Sequence, residues 1–228
     1  YILQGLKMKK LLLTFFALTY LGLGFGAGVA NAQEFSVSSG AQMSSDYFWR
    51  GVSQNAGKSA FSGNLDVSYG AFTAGVWGSE VDFGTNDDFE YDIYASVGHS
   101  VFNDAWHGGI GLEAGIIRYA YDGDTASTNE VFLGGNVGVF SATYWKDTDG
   151  DAGYWQVGVA GPTYEGFGTS VEYGRQDIRA MNAGDYYAFN VSYDIADNVS
   201  FDAKLLKNIE IPNTYVDGTA FTVSWAFN

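Results

Sequence analysis

A two-residue alternation of apolar and polar side chains runs through most of the chain, and it constrains the fold more than any other feature. Between residues 88 and 100 the odd positions carry Phe89, Tyr91 and Ile93, whereas the even positions include Glu90 and Asp92. Successive side chains of a β-strand point to opposite faces, so this pattern predicts strands with one apolar and one polar face. We predict twelve strands, at residues 35–50, 59–69, 72–83, 88–100, 106–121, 128–138, 140–146, 153–160, 167–175, 185–194, 199–207 and 218–227.

The predicted connections alternate in length along the chain. Those after even-numbered strands are short, such as residues 70–71 and 196–198, whereas several after odd-numbered strands are longer and rich in Asp, Asn, Gly and Thr, such as 122–128 and 147–152. Bacterial outer-membrane barrels combine tight periplasmic turns with longer external loops. The sequence therefore predicts an all-β fold, a transmembrane antiparallel up-and-down β-barrel of about twelve strands.

A soluble β-sandwich is the competing interpretation, because its strands alternate in the same way with the apolar face turned inward. Strands of about ten residues, longer than is usual in soluble sheets, favour the barrel. A content of 17% aromatic residues and an amphipathic final strand carrying Phe227 point the same way.

The N-terminal part of the chain has the composition of an export signal. Met8 is followed by two lysines, an apolar run from Leu11 to Leu23, and the small residues Ala30 and Ala32. Such a segment predicts a cleaved signal peptide. We assign residues 1–7 as spurious upstream residues, 8–32 as the signal peptide and 33–228 as the outer-membrane barrel domain.

The charge and residue content exclude several classes of function. A formal net charge of −15 leaves little affinity for nucleic acid, whose phosphates require Lys and Arg. The chain has no cysteine, and its two histidines, His99 and His107, flank a predicted periplasmic turn. Nucleophilic catalysis needs a nucleophile beside a base. We therefore predict no enzymatic activity, no catalytic residues, no metal site and no cofactor.

The polar face of the predicted strands would line the barrel interior, where charges stay hydrated. Ten acids and two bases fall on this face, which predicts a cation-attracting lumen. Large aromatic residues near strand ends would form interfacial girdles. The predicted lumen residues are Asp46, Arg50, Asp66, Glu80, Asp82, Glu90, Asp92, Glu113, Glu130, Glu172, Asp202 and Lys204, and the predicted girdle residues are Tyr47, Trp49, Tyr69, Phe72, Tyr193, Trp225 and Phe227.

Three segments resemble a known family. "SSDYFWRGVSQ" at residues 44–54, "AGVWGSEVDF" at 74–83 and "EYDIYASVG" at 90–98 are similar to the TorF family of porins of Gram-negative bacteria. The resemblance covers the first third of the chain most strongly. It implies an outer-membrane location and a porin assignment, without a substrate or functional residues.

These features together predict a porin or channel of the cell outer membrane for passive diffusion of small cationic or neutral solutes. Its partners would be outer-membrane lipid and lipopolysaccharide, small solutes or ions, and the barrel-assembly machinery, which would bind the C-terminal strand. Two alternatives remain open: a plugged, non-conducting outer-membrane barrel with a structural or adhesive role, and a soluble secreted β-sandwich binding protein.

Overall fold

The computed structural model describes residues 35–101, 109–177, 184–209 and 217–227, and every regular element in these ranges is a β-strand. Twelve strands form one closed antiparallel barrel, and β2 and β3 form a separate small hairpin. The strands are β1 (Phe35–Ser44), β2 (Phe48–Trp49), β3 (Val52–Ser53), β4 (Ala60–Tyr69), β5 (Phe72–Glu80), β6 (Phe89–Val101), β7 (Ile110–Tyr121), β8 (Thr128–Val137), β9 (Phe140–Asp147), β10 (Gly153–Ala160), β11 (Phe167–Asp177), β12 (Gly184–Ala196), β13 (Val199–Ile209) and β14 (Gly218–Phe227).

The barrel closes through β1, which pairs with both β4 and β14. Ser44 at the end of β1 lies opposite Ala60 of β4 and Thr222 of β14. Each remaining barrel strand pairs with a neighbour on both sides, so no edge of the barrel sheet is left unpaired. A closed sheet satisfies its backbone donors and acceptors internally, which is what lipid requires of a spanning structure. The predicted fold class and strand number are confirmed.

The outer face of the barrel is apolar. Exposed Val, Leu, Ile and aromatic side chains alternate with buried positions along the strands, as at Tyr91, Ile93 and Val97 on β6. A soluble sandwich would bury this face, so that alternative is wrong. Exposed aromatic residues cluster at the end of the barrel with the short turns: Phe35, Tyr69, Phe72, Phe140, Phe167, Tyr193 and Phe227. Within the described ranges, no helix is long and apolar enough to cross a membrane.

Several strand ends differ from the prediction by a few residues, and two of these differences affect the barrel interior. The first strand ends at Ser44 rather than at residue 50, because the chain then turns into the barrel. The third wall strand, β5, ends at Glu80 rather than at residue 83. The upstream residues 1–7 and the predicted signal peptide 8–32 lie outside the described residues.

Candidate channel interior

Residues 45–59, which we call the inner loop, connect β1 to β4 at the long-loop end of the barrel and fold into its interior. The loop contains the β2–β3 hairpin, in which Phe48 pairs with Ser53 and Trp49 with Val52. Arg50 and Gly51 form its two-residue turn, with φ of 48° and 87°. A turn with positive φ at both central residues is the geometry that matches a tight hairpin, and it is rare for a side chain such as that of Arg50.

The inner loop contacts walls all around the barrel. The Tyr47 ring packs on Trp77 of β5 with centroids 5.4 Å apart, and Trp49 meets Tyr119 of β7 edge-on at 5.8 Å. On another side, the Asn208 side chain of β13 donates a 3.0 Å hydrogen bond to the carbonyl of Gly51. The loop therefore reaches across the lumen in the half that lies near the long loops.

Arg50 is held by the far wall of the barrel. Its two terminal nitrogens donate hydrogen bonds of 2.8 and 2.5 Å to the two carboxylate oxygens of Glu130 on β8, and both side chains are 6% exposed. Tyr119 donates a further 3.0 Å bond to Glu130. The guanidinium lies 4.2 Å from the Trp49 ring and 4.3 Å from the Tyr154 ring. A bidentate pair between aromatic rings fixes the loop tip in one position.

The charge states of the inner loop follow from this burial. Burial alone would lower the pKa of Arg50, but Tyr119 and the Glu130 carboxylate outweigh it and raise that pKa above its ordinary value, so the guanidinium stays charged. Asp46 lies at the loop base, where it accepts a 2.7 Å bond from Ser53. Burial raises the pKa of Asp46, and the Ser53 bond opposes that rise.

Two more interior carboxylates have partners of their own. Glu172 on β11 forms a 2.8 Å ion pair with Lys204 on β13. Asp66 on β4 accepts hydrogen bonds from Asn64 and from the hydroxyl of Tyr94 on β6. Tyr94 reaches Asp66 across the intervening strand because Gly75 has no side chain there; a Cβ at Gly75 would meet both groups. These contacts neutralise or solvate their carboxylates within the barrel wall.

Glu90 and Asp92 on β6 have far fewer partners. Asp92 is 0% exposed, and neither of its carboxylate oxygens has a hydrogen-bond partner among the described residues. Glu90 is 2% exposed, and its carboxylate interacts with the hydroxyl of Tyr121, at 3.4 Å, and with that of Tyr47 in the inner loop. Positions two apart on a strand share a face and lie about 6.6 Å apart. The two carboxylates therefore form an acidic patch beneath the inner loop.

The other half of the lumen has small polar walls. Besides the carboxylates Glu113 and Asp202, the inward positions near the short turns include Ser36, Ser38, Ser68, Thr73, Ser96, Asn136, Ser141, Ser192 and Ser224. Ser68 and Thr73 face each other across β4 and β5, with their hydroxyls 2.9 Å apart. Small hydroxyl groups leave room for water, so this half has the character of a hydrated vestibule.

The structure places most of the predicted lumen residues inside the barrel, although not all of them on wall strands. Asp46 and Arg50 belong to the inner loop rather than to β1. The residues on inward positions of wall strands are Asp66, Glu90, Asp92, Glu113, Glu130, Glu172, Asp202 and Lys204. Any role of these residues in ion selectivity stays a prediction.

Glu80 and Asp82 are corrections to the predicted set. Glu80 shares the outward face of β5 with Val76 and accepts a bond from the backbone nitrogen of Phe61. Asp82 lies in the loop after β5 and pairs with the exposed Lys58 at 2.5 Å. The two faces of β5 are the reverse of those predicted, because Trp77 points inward and packs against the inner loop. The apolar residue is therefore inside at this position.

The aromatic lining of the long-loop half was not predicted from the sequence. Tyr47 and Trp49, predicted as girdle residues, lie inside the barrel. Further inward aromatic residues are Trp77, Tyr119, Phe132, Trp145, Tyr154 and Tyr186. One signal could have found some of them: glycines on neighbouring strands leave space for large rings, as Gly174 does beside Tyr154 and Tyr186.

Comparisons with known proteins identify a family and a fold. A family model described as "Bacterial protein of unknown function (Gcw_chp)" matches residues 29–154. This match leaves the resemblance to the TorF family a prediction. No curated protein sequence matches the chain.

Solved structures of membrane barrels resemble this one. The KdgM porin aligns with a TM-score of 0.56 at 9% identity, over 84% of this chain and 98% of that chain. A structure from a study of in-meso crystallization of membrane proteins aligns at 0.56 and 8% identity, over 85% and 83% of the two chains. Omp33 of Acinetobacter baumannii gives 0.48 at 8% identity, over 86% and 99%. At such identities the likeness is one of fold.

Proposed function

The chain belongs to the Gcw_chp family of bacterial proteins of unknown function, and we propose that it is an outer-membrane channel for small cationic or neutral solutes, narrowed on one side by the inner loop. The observation that carries this proposal is the contrast between the two faces of the barrel. The outer face is apolar, whereas Asp66, Glu90 and Asp92 are inward and buried. A closed barrel with an acidic interior favours the entry of cations.

The dimensions of the path follow from the strand number and the inner loop. Eight-stranded barrels are filled by side chains and sixteen-stranded barrels leave an aqueous channel, so twelve strands leave an intermediate lumen. The inner loop and its aromatic neighbours occupy the half near the long loops. The vestibule of small hydroxyl side chains occupies the other half. Only small solutes would pass such a path.

The barrel would lie in the outer membrane, with the short turns in the periplasm. Its apolar belt would contact lipid, and its long acidic loops would face lipopolysaccharide. Strand β14, which ends at Phe227, would be the strand that the barrel-assembly machinery binds. The likeness to the KdgM porin supports a transport role rather than a catalytic one.

Planar-bilayer recording tests this function. The protein, refolded and purified, is inserted into a bilayer that separates two concentrations of KCl. We expect discrete conductance steps and a reversal potential on the cation-selective side of zero. A reversal potential on the anion-selective side would contradict the proposed solute class.

A plugged, non-conducting barrel is the second candidate, and the inner loop is the observation that favours it. The bidentate contact between Arg50 and Glu130 fixes the loop within the lumen. If no conductance steps occur although the protein is folded and inserted, a structural or adhesive role is the better assignment.

A further inference from the structure

The buried charges of the long-loop half do not balance. Arg50 forms an ion pair with Glu130, and Lys204 forms one with Glu172. Asp66 accepts hydrogen bonds from Tyr94 and Asn64, and Asp46 accepts one from Ser53. Among the described residues this leaves Glu90 and Asp92 buried without a basic partner, and both oxygens of Asp92 without any hydrogen bond. An isolated buried carboxylate is strongly unfavourable unless something compensates its charge.

Aromatic residues enclose these two carboxylates. In the register of the sheet, Asp92 lies between Trp77 of β5 and Tyr119 of β7. Glu90 lies beside Tyr121, which donates to it. Tyr47 of the inner loop packs on Trp77, and its hydroxyl interacts with Glu90, so this ring covers the patch. Carboxylates surrounded by aromatic rings are the setting in which a small cation is held by both charge and ring quadrupole.

We propose that Asp92 and Glu90, covered by Tyr47 of the inner loop, form a binding site for a small monovalent cation, either an alkali ion or an ammonium group. The inference deepens the proposed channel function and rests on it for the role of the site: a cation held here lies beneath the inner loop, the segment that narrows the lumen. The cation supplies the positive charge that the side chains around Asp92 lack.

Ion-dependent stability tests the site without requiring conductance. A ligand that binds the folded state alone raises its stability with concentration. The refolded protein in detergent micelles is unfolded in urea at constant ionic strength, with KCl replaced stepwise by N-methyl-D-glucamine chloride, whose cation is too large for the site. Ammonium chloride and methylammonium chloride in place of KCl distinguish alkali ions from ammonium groups. Tryptophan fluorescence reports the unfolding midpoint.

We expect the midpoint of the parent to rise with KCl or with an ammonium salt and to saturate. The ion-dependent rise of the midpoint should disappear in Asp92→Asn and become smaller in Glu90→Gln. If Asp92→Asn fails to fold, Glu90→Gln tests the site in its place. Asp202→Asn is the matched control, since Asp202 is an inward carboxylate on β13 whose neighbour Ser200 donates to it. This control should respond as the parent does.

Two results would overturn the proposal. One is a parent midpoint that is the same in all these cations, which would mean that Asp92 is neutralised by a proton only. The other is a saturable rise that persists unchanged in Asp92→Asn. Failure of the channel function would give a different pattern. If the unfolding midpoint depends on the cation but the barrel shows no conductance, the cation site is supported and the transport role is not.

Discussion

Arg50, at the tip of a hairpin that starts from β1, holds the carboxylate of Glu130 on the far side of the barrel through two hydrogen bonds of 2.8 and 2.5 Å. A loop that reaches across a lumen loses conformational entropy, which its contacts must offset. This ion pair and the rings around it are the strongest contacts at the loop tip. The position of the loop tip in the lumen therefore depends mainly on this buried pair.

Removing Arg50 should release the inner loop. Breaking a buried ion pair by deleting one partner costs about 3–5 kcal/mol, because the other charge stays buried without compensation. We expect Arg50→Ala to increase hydrogen exchange across residues 45–59 while the wall strands keep their protection. Lys58→Ala is the control within the same loop, since the Lys58 side chain is 68% exposed. Equal exchange in the two variants would show that the pair does not hold the loop.

The contact between Asp87 and the loop at residues 122–127 should weaken in acid. Its carboxylate accepts bonds from the hydroxyls of Thr125 and Thr85, at 2.7 and 2.6 Å, and from the backbone nitrogens of Thr125 and Gly123. The Thr125 and Thr85 hydroxyl bonds are the main cause of a pKa of Asp87 below its ordinary value. The stabilisation is therefore full above the ordinary pKa of about 3.9 and is lost as the pH falls through the lowered value.

The measurement for Asp87 is hydrogen exchange of the loop at residues 122–127, compared between the parent and Asp87→Asn at each pH. At pH 5 the variant should exchange faster. At a pH below the lowered pKa the two proteins should exchange alike. A difference that is as large in strong acid as at pH 5 would contradict a role for the ionised carboxylate.

The two faces of β4 should tolerate charge differently. Leu65 points outward and is 48% exposed, whereas its neighbour Asn64 points into the lumen and donates to Asp66. An arginine on the lipid face near the bilayer centre costs about 2–4 kcal/mol in barrels of this type. Urea unfolding in lipid vesicles should show this loss for Leu65→Arg but not for Asn64→Arg. Similar losses at both positions would mean that the outer face does not contact lipid.

The orientation of the barrel can be read with single cysteines, because the native chain has none. Asp151 is exposed in a long-end loop, and Asp197 is exposed in a short turn. On intact cells a membrane-impermeant thiol reagent should label Asp151→Cys and leave Asp197→Cys unlabelled until the cells are lysed. The reverse labelling would invert the proposed orientation.

The wall of the barrel was predictable because lipid and lumen impose opposite demands on alternate residues. Strands β12, β13 and β14 carry the predicted faces, with Phe189, Leu205 and Phe221 outward. Apart from Tyr186 and Leu206 near the long loops, their inward positions are small or polar. Apolar and polar residues therefore separate over most of each strand. The strand count followed from this separation.

The long-loop half was not predictable in the same way, because buried aromatic side chains rather than polar ones line its interior. The segment from Asp46 to Ser53 continues the alternation of β1, so the pattern alone extends the strand. Its apolar residues find partners inside the barrel instead, as Tyr47 does on Trp77. Gly51 after Arg50 was the local sign of a turn. Contacts between the inner loop and strands far along the chain, such as Arg50 with Glu130, leave no signal in one sequence.

If the inner loop restricts an otherwise open lumen, shortening the loop should enlarge the conducting path. Since Ser44 and Ala60 are paired across β1 and β4, residues 45–59 can be replaced by an Asn-Gly two-residue turn, which suits an antiparallel hairpin. Single-channel conductance in planar bilayers is then compared between this variant and the parent in the same salt. We expect conductance steps several times larger for the variant, while hydrogen exchange of the wall strands stays unchanged. Steps of equal size in the two proteins would show that the inner loop does not restrict the lumen.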